Sequence, residues 1–289
     1  MIMKKRSTPQ KVFNVFNIIF LFLITLIYLL PYWIIVVASF TDEFSLKLNG
    51  YSIFTTHISF EAYKFIFGET DLVLRSLLNS VIITLGSSFA VLIVTGLYAY
   101  PLSRSNLKGK KFFSWLMIIP MLFSGGLIPT FVVTSFFFYN SLLALIIPGS
   151  FAAWYCLLMR NFFYSVPESL KEAAAIDGAS EMKIYISIMI PLSVPIFMVI
   201  FLYSAVSAWN NWFGPLLYLD DVELYPLQYF VQQIISDVNS IFPTSGDSLV
   251  PIESVKMACV VVASLPLIVI YPFIQKYFVE GTSVGAVKE

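Results

Sequence analysis

From residue 14 to residue 38 the chain runs for 25 residues without one Asp, Glu, Lys or Arg. At about 1.5 Å of rise per helical residue, such a run is long enough to cross a hydrocarbon core of about 30 Å. Charge-poor apolar runs recur at about 77–100, 112–136, 142–159, 188–208 and 256–274. With 58% hydrophobic and 12% charged residues, about half the usual charged fraction, the chain lacks the polar surface to hide this apolar area from water. The expected fold is an all-α integral membrane protein with six transmembrane helices. In lipid, each segment must satisfy its own backbone N–H and C=O groups, and a helix does so within itself.

The loops set the orientation. Lys4, Lys5, Arg6 and Lys11 precede the first run, which is too long for the 7–15-residue apolar core of a cleavable signal and reads as an uncleaved span. The stretch SRSNLKGKK, residues 103–111, carries four cations and no anion. With the N-terminus inside, 13 of the 17 basic residues fall in cytoplasmic segments and 11 of the 17 acidic ones outside, as the positive-inside rule requires. The expected layout is a cytoplasmic tail at 1–13, a six-span domain at 14–275 and a cytoplasmic tail at 276–289. Residues 39–76 and 210–255 lie outside, and a cytoplasmic loop spans 160–190.

That loop holds the polar island EAAAIDGASEMKIYISIMIP, residues 172–191. Ser165 followed by Glu168 has the spacing of a capping box, with Pro167 tolerated in a first helical turn. Val166, Leu170, Ala173 and Ala174 would share one face and Glu168, Lys171 and Glu172 another. The small alanines would let another surface approach the backbone. Gly178 suits a left-handed helix stop, and Ser180 can cap a second helix near Glu181. Periodicity alone is equally compatible with an interfacial helix that merely joins two spans.

The full spacing is more specific. Glu172-Ala173-Ala174, Gly178, Ile188, Ile190 and Pro191 resemble the signature EAA-x3-G-x9-I-x-L-P of permease subunits of ATP-binding cassette (ABC) importers, with Ile190 as the one departure. FSGGLIPT at 123–130, VPESLKEAAAIDGAS, LYPLQ at 224–228 and the tail YPFIQKYFVEGTSVGAVKE resemble carbohydrate-importer permeases of the maltose G-subunit type, in particular the branch labelled LplC for complex oligosaccharides. The resemblance implies a type I importer permease with several partners: a second homologous permease, two ATPase subunits or a homodimeric ATPase, an extracellular solute-binding lipoprotein, an oligosaccharide cargo and membrane lipid. Nucleic acid is not among them. It also implies that Glu172, Ala173, Ala174, Asp177, Gly178 and Pro191 form the coupling element for the ATPase, in the plasma membrane of a Gram-positive bacterium. An importer for amino acids, peptides or ions shares the same spacing, and a self-contained secondary transporter is the alternative from another class.

Several chemistries have no residues to carry them. No G-x-x-x-x-G-K-[ST] phosphate loop is present, so ATP and its Mg ion would sit on partner subunits and this chain would hold no cofactor. No Asp, Glu, His, Lys or Arg lies well inside a span, as the proton relays of many secondary transporters require. His57 has no partner cluster for a metal or catalytic role, and Cys156 and Cys259 fall in spans as small apolar residues. No catalytic group is expected. For the substrate path, Tyr155, Tyr203, Ser207, Trp209, Asn210 and Asn211 combine rings and hydrogen-bonding groups that suit a sugar. An interfacial aromatic belt would look similar. Gly125-Gly126 before Pro129 can mark a broken helix beside a cavity.

Overall fold

The structure, a computed structural model, describes residues 8–55, 57–69, 71–236 and 252–286. Lys4, Lys5 and Arg6 of the basic tail, and Asp237 and Asp247 of the second outer segment, lie outside the described residues. Among the described residues there is no strand, only an isolated bridge between Thr41 and Ile58. The chain divides into two units, residues 1–70 with 238–264, and residues 71–237 with 265–289.

In the first unit, α1 (Thr8–Ser39) carries exposed apolar side chains along its length, as a helix in lipid must. The acidic segment after it folds into short helices rather than a loose loop. Asp42 caps α2 (Glu43–Asn49), accepting from the Ser45 amide at 3.1 Å. α3 (Glu61–Lys64) runs into a π-helical turn, Phe65–Glu69. The Glu43 carboxylate accepts from the amides of Glu253 and Ser254, each at 3.0 Å. This borrowed cap satisfies free N–H groups at the start of the last helix. The helix therefore begins at residue 252 rather than the expected 256. It also continues to residue 286, through most of what was expected as a separate tail.

The second unit is built on α4 (Leu72–Ser103), which buries Ser76, Ser80, Ser87, Ser88, Thr95, Gly96 and Ala99. Small residues on a membrane helix let neighbours approach closely. Around it run α5 (Lys110–Leu122), α6 (Leu127–Phe138), α7 (Leu143–Ser150), α8 (Ala153–Ser165), α9 (Glu168–Ile176), α10 (Glu181–Leu192), α11 (Val194–Trp209), α12 (Phe213–Tyr218) and α13 (Leu227–Ser236).

Among the described residues, three helices are long and apolar enough to cross a membrane by themselves. Three bent pairs complete six spans if each pair is one. The α5–α6 pair bends by 112°, α7–α8 by 49° and α10–α11 by 80°. The first break falls at the expected glycines, with Gly126 at φ +89°. There the Gly126 amide donates to Ser124 Oγ at 3.2 Å and its carbonyl accepts from Thr130 Oγ1 at 2.8 Å. The other two breaks correct the expected unbroken fourth and fifth spans. Ala152 is extended. Ser193 leaves helical geometry between Pro191 and Pro195, and Pro195 has no N–H to continue the ladder.

The core of this unit stacks Tyr100, Phe163 and Tyr185 among Cys156, Met159, Met189 and Ile200. The Tyr100 and Tyr185 rings lie 5.0 Å apart. A Cβ at Gly96 would collide with the hydroxyl of Tyr185, whose buried ring has no room to retreat. Gly96→Ala gains about 1 kcal/mol of helix propensity but overpacks this contact by about 1–3 kcal/mol, so it should lower the melting temperature in detergent. Gly149→Ala, where a Cβ meets nothing within 4 Å, should not.

Candidate coupling site and transport cavity

The island folds as a helix, a tight turn and a second helix, although its start is not built as expected. Ser165 is the last residue of α8, and its hydroxyl turns back to the Phe162 carbonyl at 2.6 Å. The residue before α9 is Pro167, whose side chain makes no cap. The capping box therefore does not form, and Glu168 is released for ion pairing.

The far end closes as the glycine predicts. Gly178 has φ +80°. The Ala179 amide donates to the Ala174 carbonyl at 2.9 Å, and the Gly178 amide to that of Ala175 at 3.1 Å. These are the two crossed bonds of a Schellman motif. Ser180 Oγ then accepts from the Lys183 amide at 3.4 Å, which starts α10.

The faces of α9 differ from the expected division. Lys171 is buried at 1% exposure, whereas Leu170 is 44% and Ile176 87% exposed. Val166 is buried, Ala173 is exposed and Ala174 half-buried. The reason is an ion pair: Lys171 Nζ lies 3.2 Å from Glu168 Oε2, and Glu168 Oε1 lies 3.3 Å from Arg104 Nη1. Charge neutralisation makes burial of the lysine tolerable, and it turns Leu170, Ala173 and Ile176 outward.

Glu172, Asp177 and Gly178 are also exposed, and neither acid is ion-paired among the described residues. The six coupling candidates thus divide. Glu172, Ala173, Ala174, Asp177 and Gly178 share one short helix and its turn, whereas Pro191 stands apart at the bend into α11.

A cavity of about 340 Å³ lies between α4, α7, α8 and α11. Tyr155, Ser207 and Asn211 line it together with Ser87, Val91, Leu145, Gly149, Ser204 and Ala208. The other path candidates do not. Tyr203 is exposed, Trp209 is buried, and Asn210 donates to the Val206 carbonyl at 2.8 Å as a helix end. Ser87 was missed, although its place in the series Ser76, Ser80, Thr84, Ser87 follows one helix face. Its hydroxyl is buried, with no hydrogen-bond partner among the described residues. Ser204, a candidate from the same stretch as Tyr203 and Ser207, also lines the cavity, with its hydroxyl satisfied by the Ile200 and Phe201 carbonyls, each at 2.9 Å. Among the described residues the wall thus presents hydroxyl and amide groups and no cation or carboxylate. Such a wall can hydrogen-bond a neutral polyol without the cost of desolvating a charge.

The deciding observation covers nearly the whole chain. The family profile described as "Binding-protein-dependent transport system inner membrane component" matches residues 4–284. The chain belongs to this family. It is similar to Protein LplC of Bacillus subtilis (strain 168), 38% identical over 285 residues, covering 96% of this chain and 95% of that one. It is similar as well to the polygalacturonan/rhamnogalacturonan transport system permease protein YtcP of the same organism, 38% identical over 274 residues, with 93% and 96% covered. Among solved structures, a chain of a bacterial ABC transporter involved in the import of the acidic polysaccharide alginate superposes with a TM-score of 0.84. It is 28% identical, with 96% of this chain and 100% of that one covered. The protein is thus a multi-pass ABC permease subunit, a transport component rather than an enzyme.

Gly178→Ala would place an L residue in the left-handed region, at about 1–2 kcal/mol. Hydrogen exchange at the Ala179 amide should therefore accelerate by about tenfold, while α4 and α8 keep their protection.

Proposed function

We propose that this chain and a second, homologous permease form the translocation pathway of an ABC importer for an oligosaccharide. An extracellular solute-binding lipoprotein delivers the cargo, and two ATPase subunits or a homodimeric ATPase drive the pathway. Both termini and the 160–190 loop face the cytoplasm of a Gram-positive bacterium, a reading that rests on the distribution of Lys and Arg. ATP and Mg are held by the ATPase, since this sequence has no phosphate loop.

The observation that carries the reading is the outward face of α9. Leu170, Ala173 and Ile176 are exposed beside Glu172, which has no ion pair among the described residues, in an internal loop of a chain otherwise fit for lipid. An apolar helix face with a free carboxylate suits a cleft that offers a basic residue. The small Ala173 admits close approach. Movement of the gripped helix then drives the attached spans, and the cavity alternates between the two sides of the membrane.

The oligosaccharide assignment rests on the relatives named for polygalacturonan and alginate import, and the cavity is compatible with it. Tyr155 supplies a ring for an apolar sugar face. Ser87, Ser207 and Asn211 supply groups that accept or donate to hydroxyls. No Lys or Arg lines the cavity, so a uronate carboxylate would find its counter-charge on the partner permease or the binding protein.

Reconstitution in proteoliposomes with the ATPase, the second permease and the binding protein tests this reading. Cargo should stimulate ATP hydrolysis and accumulate. Gly178→Trp, which puts bulk at the exposed turn, should abolish accumulation while the chain still inserts; unchanged uptake would refute the coupling role. Ser207→Leu should cut uptake by at least about tenfold and leave basal ATP hydrolysis in place. Equal uptake in that variant would remove the cavity from the path.

A further inference from the structure

The cluster behind α9 does more than neutralise a lysine. Arg104 follows the last residue of α4, and its side chain is only 12% exposed. Nη1 lies 3.3 Å from Glu168 Oε1 and Nη2 lies 3.1 Å from Glu181 Oε1. These glutamates are the first residues of α9 and α10, where a carboxylate also faces the positive end of the helix dipole. Each carboxylate has a second partner. Glu168 Oε2 holds Lys171, and Glu181 Oε2 accepts from the Tyr100 hydroxyl at 2.6 Å. The Arg104 carbonyl in turn accepts from Lys110 Nζ at 2.8 Å. Within the ion pairs Arg104 and Lys171 balance Glu168 and Glu181, and the planar guanidinium fork spans both helix starts in a way that an ammonium cannot.

We propose that Arg104 is a positioning residue for coupling. It locks the starts of α9 and α10 to the end of α4, so that displacement of the island is delivered directly to the helix that lines the cavity. The inference rests on the permease reading above and adds a route to it. The covalent route from α10 to α11 passes through a π-helical turn, Tyr185–Met189, and then an 80° bend at Ser193. Both features are compliant. By contrast, α4 is one continuous helix up to Ser103, next to Arg104, with Pro101 in its last turn, and it carries Val91 and Ser87 in the cavity wall, about 20 Å from Arg104 to Val91. A push on α9 without Arg104 would be absorbed at the turn and the bend.

The test uses the complete assembly in proteoliposomes, with uptake and ATP hydrolysis measured on the same preparation. Arg104→Ala should co-purify with the ATPase at the wild-type ratio yet lose about tenfold in cargo taken up per ATP, the scale of an ordinary coupling between two sites. Glu168→Gln combined with Glu181→Gln should behave alike. Arg104→Lys, which can hold one carboxylate at a time, should fall between the two, so the order Arg, Lys, Ala is the signature of the fork. Should Arg104→Ala fail to insert, the Lys and double-Gln variants decide the matter by the same ratio. A wild-type ratio in the Lys and double-Gln variants would overturn the proposal. So would loss of the ATPase from the Ala variant, which would make the cluster a docking element. If the unmodified assembly shows no cargo-stimulated hydrolysis, the permease reading itself fails, a result distinct from any of these.

Discussion

Hydrocarbon offers no partner to an unpaired amide, and the described fold follows from that constraint. Each apolar run is helical, and two of the three breaks carry local hydrogen bonds that repair them. Ser124 and Thr130 bond the peptide groups of Gly126. The Ser193 amide reaches the Ile190 carbonyl at 3.0 Å. The Ser204 and Thr25 hydroxyls bond carbonyls of their own helices. Breaks of this kind are tolerated at membrane depth where they are packed in protein or line a water-filled space. The cavity of the second unit is bounded by helices of two bent pairs, α7–α8 and α10–α11, and by the unbroken α4.

The polar part of the molecule is organised by the same economy. Charges lie at helix ends, where the backbone itself is polar. Glu43 caps the last helix, and Arg104 binds the glutamates that open α9 and α10. Isolated surface pairs contribute little. The cluster around the almost fully buried Lys171 is different, because removing Glu168 would leave that ammonium uncompensated out of water. The island is therefore fixed on its inner face by ions and open on its outer face through Leu170, Ala173 and Ile176. In the proposed mechanism, this polarity separates the surface that would receive force from the contact that would pass it on.

Much of this was legible in the residues, for reasons that can be named. Apolar runs announce spans because lipid admits few exceptions. Gly126 before Pro129 announced a break, and Gly178 a left-handed stop, because only glycine adopts those geometries cheaply. Ser165 misled because a serine near a helix end has two options, and its hydroxyl bonds backwards to Phe162 rather than forwards. The burial of Lys171 could not be read locally, since Arg104, which completes the pairing of Glu168, lies on another helix. Ala152 gave no sign of its break, having neither a ring nor a missing Cβ. In the cavity, Tyr155, Ser207 and Asn211 stood out as polar or aromatic groups in spans, while Ser87 was hidden in a line of small residues that also serves close packing.

The claim on which the rest depends is that the outer face of α9 is a cytoplasmic surface covered by another protein. Cys156 and Cys259 are buried, so a single cysteine at Ile176 can be followed against a low background with a membrane-impermeant maleimide. The account predicts labelling of Ile176→Cys in inside-out vesicles, protection when the ATPase is bound, and no labelling from the outer side of intact cells. Labelling from outside, or equal labelling with and without the ATPase, would contradict it.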